Sequence, residues 1–140
     1  MANRPSRAIV SGHPRCDRVL ATLSVVALTL FTLPALANIL EIDWDSNARF
    51  ERNLAVPPAK FAEVCGKLPA GVNLRWEFEA SAPLDFNVHY HVGKEVVFPA
   101  KLKAVASARN TLQTRIEQDY CWMWTNKSAA TATLTVKLQR

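Results

Sequence analysis

The chain has 140 residues, 49% of them hydrophobic and 21% charged, which suits one compact domain and excludes a disordered tail or a polar linker. Its formal charge of +5 would fit a nucleic-acid partner only if the basic residues clustered on one face. They do not. Arg4, Arg7, Arg15 and Arg18 stand against the single acid Asp17 at the N-terminus, and the remaining Lys and Arg are scattered among acids.

The first element is a leader. Val19 to Leu33 runs without a charge and is followed by Pro34 and the small-residue triplet Ala35-Leu36-Ala37. A positive start, a short apolar run and an A-x-A site predict a helical secretory signal peptide over residues 1–37. The alternative is an uncleaved anchor helix, but a bilayer core of about 30 Å calls for about 20 apolar residues, more than this run supplies. Cys16 precedes the apolar run, so no cysteine stands at the exit to accept a lipid. Cleavage after Ala37 leaves thirteen basic and eleven acidic residues, a net charge of +2. The expected product is periplasmic or secreted, has no stable membrane span after leader cleavage, and takes no nucleic acid.

Cys65 and Cys121 then remain as an even pair. Oxidising compartments let such a pair persist as a disulfide, which is the reading adopted. The alternative is two free thiols that bind metal or exchange, for which no C-x-x-C spacing exists. A bridge closing this loop contributes about 4 kcal/mol in the chain-entropy model, a large share of roughly 5–15 kcal/mol net stability.

After an N-terminal arm at 38–47, in which Trp44 between Asp43 and Asp45 is placed to dock on the domain or a partner, the chain reads as strands. Phe50 to Val56 is a strand stopped by Pro57-Pro58, and Lys60 to Cys65 fits a strand or one helical turn. Leu74 to Glu79 and Leu84 to Val92 alternate apolar and polar residues, the pattern of half-buried antiparallel strands. Ala80-Ser81-Ala82-Pro83 reads as a turn between them. Lys101 to Glu117 reads as strands with a loop around Ser107-Ala108-Arg109-Asn110. Tyr120 to Trp124, apolar on both faces, predicts a central buried strand; Thr125 to Ser128 turns the chain, and Thr131 to Leu138 alternates again. About eight short strands predict an all-β fold, an antiparallel β-sandwich over residues 48–140.

Three segments carry a resemblance: Trp76-Glu77-Phe78, Leu84-Asp85-Phe86-Asn87-Val88 leading to Gly93, and Tyr120-Cys121-Trp122-Met123-Trp124-Thr125-Asn126-Lys127-Ser128. Together they resemble the GOLD domain, the β-sandwich of p24 (emp24-type) cargo proteins and of some lipid-transfer proteins. The resemblance covers roughly residues 48–140. It implies a disulfide between an early cysteine and one in the penultimate strand, just before an Asn and a Ser, a layout that Cys65, Cys121, Asn126 and Ser128 match. The cargo receptors continue into a coiled coil, a membrane helix and a tail, whereas this sequence stops at Arg140. What the resemblance implies is therefore binding of an unknown protein or small ligand without chemistry of its own.

His89 and His91 are the only histidines beyond the leader, because His13 falls within it. Two residues apart on a strand, they project from one face with Cα atoms about 6–7 Å apart, where two imidazoles can share copper or another divalent metal. Asp85 and Asn87 precede them on that face, so Asp85, Asn87, His89 and His91 form the candidate ligand or partner surface. The plainer reading is a set of ordinary polar positions on a solvated strand.

Trp76, Phe78, Phe86, Tyr90, Tyr120, Trp122 and Trp124 are read as core fillers before they are read as a ligand pocket, since each large ring buries about 150–250 Å². Gly66, Gly71 and Gly93 read as turn residues rather than a phosphate loop, and no G-x-S-x-G elbow occurs. Glu77 and Glu79 flank Phe78 as charges of a solvated face. The expectation is a binding module and not an enzyme, with a copper-binding protein using His89 and His91 as the alternative.

Overall fold

The computed structural model describes residues 38–140, so the predicted leader lies outside the described residues. Seven strands follow one another in sequence: β1 (Asn38–Glu41), β2 (Arg49–Val56), β3 (Phe61–Leu68), β4 (Asn73–Val92), β5 (Glu95–Gln113), β6 (Gln118–Thr125) and β7 (Ala132–Gln139). The all-β expectation is met, with seven strands where about eight were expected.

One hydrogen-bonded sheet, in the order β1-β3-β6-β4-β7-β2 with β5 on the other side of β4, folds over on itself into two layers. The fold-over is made by β4. Its first half, Arg75–Ala80, pairs with β7, and its second half, Asp85–His89, pairs with β6. One layer is therefore β5-β4-β7-β2 and the other β5-β4-β6-β3-β1.

The strands depart from the sequence expectations at five points. The segment Ala80–Pro83 is not a turn: β4 runs straight through it, and the irregular register against β5 between Glu79 and Leu84 marks where the strand bends from one layer to the other. A bend of this kind suits Pro83, which has no N–H to lose from a ladder. Ser107–Asn110 is not a loop either, because each of these residues pairs with β4. The sheet is mixed rather than purely antiparallel, since β1 pairs in parallel with β3. That pairing also makes the start of the expected arm a strand of the sheet. Finally, Gly66 is no turn residue. It lies in β3, where a Cβ would meet Ile42 Cδ1 at 2.9 Å, so its bare backbone is what lets the chain after β1 close over the sheet. Gly71 and Gly93, with φ of +84° and +60°, are turn residues as expected.

Alternation explains the core. Leu74, Trp76, Phe78, Leu84, Phe86 and Val88 of β4 face inward and meet Tyr120, Trp122 and Trp124 of β6 and Leu134, Val136 and Leu138 of β7. Rings join the layers: Phe78, from the half of β4 paired with β7, meets Trp124 of β6 edge-on at 5.6 Å. Phe86 lies 4.9 Å from Trp76 and 4.8 Å from Phe78. The aromatic cluster is thus the core, as its size demanded. Trp44 is partly buried against it, with the Arg140 guanidinium 4.7 Å over its ring.

Asn126 locks the end of β6. Fully buried, it donates through Nδ2 to the carbonyls of Val56 (2.7 Å) and Ala130 (2.8 Å), while Oδ1 accepts from the Ser128 amide (2.8 Å) and hydroxyl (2.7 Å). Every hydrogen-bonding capacity of the amide is used. The Asn126–Ser128 pair of the resemblance is a structural clamp joining β2, β6 and the turn before β7.

Candidate functional site

The outer face of the β3-β6-β4 layer is where polar chemistry collects. β3 and β6 pair with Cys65 directly opposite Cys121, and β6 and β4 pair with Cys121 directly opposite His89. One row across three strands therefore reads Cys65, Cys121, His89. The neighbouring row reads Glu63, Met123, Asn87. Cys65 and Cys121 are joined as a disulfide with Cα atoms 4.1 Å apart.

His89 is not the solvated residue the plain strand reading expects. It is 8% exposed, because Phe98 packs 5.9 Å from its ring on one side and His91 meets it edge-on at 5.5 Å on another. Its Nδ1 lies 2.8 Å from Asn87 Oδ1, so Nδ1–H donates to the amide oxygen and Nε2 is turned to Glu63 Oε1 at 3.2 Å. Glu63 is equally buried, at 8% exposure. Burial raises the Glu63 carboxyl above its ordinary value, against the pull of His91, and burial together with the charge of His91 pushes the His89 imidazole below its own. Both shifts favour the uncharged forms despite the ion-pair distance.

Of the expected surface, the structure brings together Asn87, His89 and His91 and leaves Asp85 apart. Asp85 faces the same side but is committed elsewhere: Lys127 pairs with its Oδ2, and its Oδ1 accepts from the Ala104 amide at 3.0 Å. These partners hold its carboxyl below the usual range. Asp85 therefore pins β5 at Ala104, where φ is +50°, instead of joining the histidines. Glu63 is the residue that sequence reasoning missed. The available signal was the alternation Phe61, Glu63, Cys65, which places an acid on the same face as a cysteine.

Around the pair the surface is half apolar. His91 pairs with Val96, and Val96 and Phe98 are exposed at 42% and 45%. Lys101 Nζ lies 4.6 Å over the Phe98 ring. The other layer's outer face differs: Glu51, Lys137, Glu77 and Arg109 stand opposite one another across four strands and are all exposed. Glu77 and Glu79 are thus charges of a solvated face, as expected.

No protein-family profile and no curated protein sequence matches the chain. Solved structures do share its fold. The pre-peptidase C-terminal domain of a Bacillus anthracis collagenase matches with TM-score 0.52 and 9% identity, covering 76% of this chain and 98% of that one. The Yersinia pseudotuberculosis-derived mitogen matches with TM-score 0.52 and 10% identity, over 65% of this chain and 84% of that one. Salmonella Typhimurium PliG, a periplasmic lysozyme inhibitor of g-type lysozyme, matches with TM-score 0.50 and 8% identity, over 74% and 98%. At these identities the likeness is one of fold.

Proposed function

We propose that this chain is an exported binding module of the GOLD kind, without catalytic activity, that takes a protein partner in the periplasm or outside the cell. The observation that carries the reading is the half-apolar outer face on which Phe98, Val96 and His91 surround the buried Glu63–His89 pair. Exposed aromatic and aliphatic side chains gathered over a buried polar pair suit a protein-contact surface. A periplasmic inhibitor of a protein target shares the fold, which supports the reading, and the disulfide suits an oxidising compartment.

The test is a photo-crosslinker placed at position 98 of the exported chain, with position 137 on the opposite charged face as the control. A discrete protein adduct from position 98, absent from position 137, is the expected result. No adduct from position 98, or the same adduct from both, overturns the reading.

A second reading is favoured by the position of Glu63. Two donors held at about 2.0–2.1 Å by a tetrahedral ion stand about 3.4 Å apart, close to the 3.2 Å between His89 Nε2 and Glu63 Oε1. Glu63 and His89 stand at ligand spacing, and His91, whose ring meets that of His89 at 5.5 Å, must turn towards them to complete a candidate copper or divalent-metal site on the oxidised chain. Copper(II) binding that survives unchanged in a His89→Ala, His91→Ala double variant would exclude it.

A further inference from the structure

The row that holds the bridge also holds ligand chemistry that the disulfide ties up. A carboxylate oxygen of Glu63, a ring nitrogen of His89 and Sγ of Cys121 all lie within 4.8 Å of one another. Cys65 stands directly across from Cys121 with its Cα 4.1 Å away, so the two sulfurs remain neighbours when the bond between them is cut. We propose that the reduced chain binds a zinc-class divalent cation through the thiolates of Cys65 and Cys121, Nε2 of His89 and the carboxylate of Glu63, and that forming the disulfide ejects it.

The donor set decides the ion. Two thiolates, an imidazole and a carboxylate make four ligands for a borderline-soft ion that accepts tetrahedral geometry, at about 2.3 Å to sulfur and about 2.0–2.2 Å to nitrogen and oxygen. Three adjacent strands supply them from one face, so the sheet itself sets the spacing. Asn87 completes the arrangement: by accepting from Nδ1–H at 2.8 Å it orients the ring and leaves Nε2 free to ligate. A dication also compensates a carboxylate that is 8% exposed and whose nearest cation-forming neighbour is a buried imidazole.

The exchange balances with a dithiol as reductant. A thiolate of the dithiol attacks one bridge sulfur, a mixed disulfide forms, and the second thiol resolves it; the protein gains two thiols and the reductant leaves as its disulfide. The cation then displaces both thiol protons to solvent on binding. An incoming disulfide reverses this: its own S–S bond is cleaved, it leaves as two thiols carrying the two electrons, the Cys65–Cys121 bond forms, and only Glu63 and His89 remain as donors from the set. The site shares His89 and Glu63 with the copper reading above but takes two thiolates where that reading takes His91.

Cobalt(II), a spectroscopic stand-in for zinc, tests this on the oxidised chain, the dithiol-reduced chain and a Cys65→Ser, Cys121→Ser double variant. The reduced chain is expected to take one equivalent with thiolate-to-cobalt charge-transfer absorption and the intense visible bands of a tetrahedral site, and zinc is expected to bleach both. The oxidised chain and the double variant should show no thiolate-to-cobalt charge transfer, and His89→Ala in the reduced chain should weaken binding tenfold or more. Should the reduced chain lose its melting transition, zinc must restore it in the parent sequence and not in the double variant. Cobalt binding that is alike in oxidised and reduced chains, binding without thiolate bands, or a melting transition that zinc does not restore would each overturn the proposal.

Discussion

The β3–β6 ladder and the β2–β7 ladder are both eight-residue antiparallel pairings, one in each layer, and both pack apolar side chains inward. Their outer faces part company. On β3–β6 the outward row carries a covalent bridge beside a buried acid and a buried imidazole. On β2–β7 it carries Glu51 opposite Lys137 and Asn53 opposite Thr135, open to water. The difference lies in what covers each face. Phe98, placed where β5 slips register against β4 between Val88 and Tyr90, shields His89, while nothing shields Lys137. Equivalent positions on the two ladders should therefore differ in what a substitution costs.

The contrast is sharpest beneath and along the β3–β6 ladder. Trp122→Ala removes a fully buried indole from under the bridge and should cost roughly 3–5 kcal/mol in denaturant unfolding. Trp122→Phe should cost far less, because the Trp122 indole N–H has no hydrogen-bond partner to lose. Reducing the bridge should remove about 4 kcal/mol, a drop in melting temperature of very roughly 15–30 °C for a domain near 100 residues; equal melting with and without reductant would erase the distinction between the ladders. Asn126→Ala removes the side-chain partner of the Val56 carbonyl and of the Ser128 amide, leaving the Ala130 carbonyl to the Ser128 hydroxyl alone, and should cost about 3 kcal/mol.

Acidity separates the faces more gently. Burial holds the folded-state pKa of His89 below its ordinary value of 6.5, so the unfolded chain binds the proton first and stability falls as pH drops below about 6.5. Glu63, raised from 4.5, acts in the opposite sense: the folded chain binds its proton first, and stability is regained as pH falls through its folded value. The parent should therefore lose stability relative to His89→Gln between neutrality and mild acid, and proton NMR should place the His89 midpoint below 6.5. A parallel pH dependence in the two chains would contradict the buried pair. The smallest effect belongs to the open face: Lys137→Ala loses an exposed 3.7 Å contact with Glu77 and should change stability by less than about 0.5 kcal/mol. A larger loss would mean that the two ladders are alike after all.

Period-two alternation made most of this fold legible, because a strand with one wet face must alternate. It marked β7 and both halves of β4, while Pro57-Pro58 marked the end of β2 and a run apolar on both faces marked the tryptophan-rich centre of β6. The bend at Ala80–Pro83 escaped it, since small residues and a proline look the same whether a chain reverses or turns from one layer to another. Ser107–Asn110 escaped for a related reason: β5 is an edge strand, exposed along most of its length, and an exposed strand has no apolar face to announce it. The site was half legible. His89 and His91 stood out by spacing, whereas Glu63 lies between Ala62 and Val64, and its meeting with His89 depends on β6 standing between β3 and β4. Strand order across a sheet is a long-range property that local pattern does not encode.

The passage of β4 from one layer into the other bears on how this domain comes apart. With β6 bonded to one half of the strand, β7 to the other and β5 along both, peeling either layer loose strips amides that also anchor its neighbour. Backbone amides of the central strands should therefore exchange with solvent deuterium as a single cooperative group, at a rate governed by global unfolding. A pull applied across Asn73 and Val92 would likewise load both halves of the molecule at once.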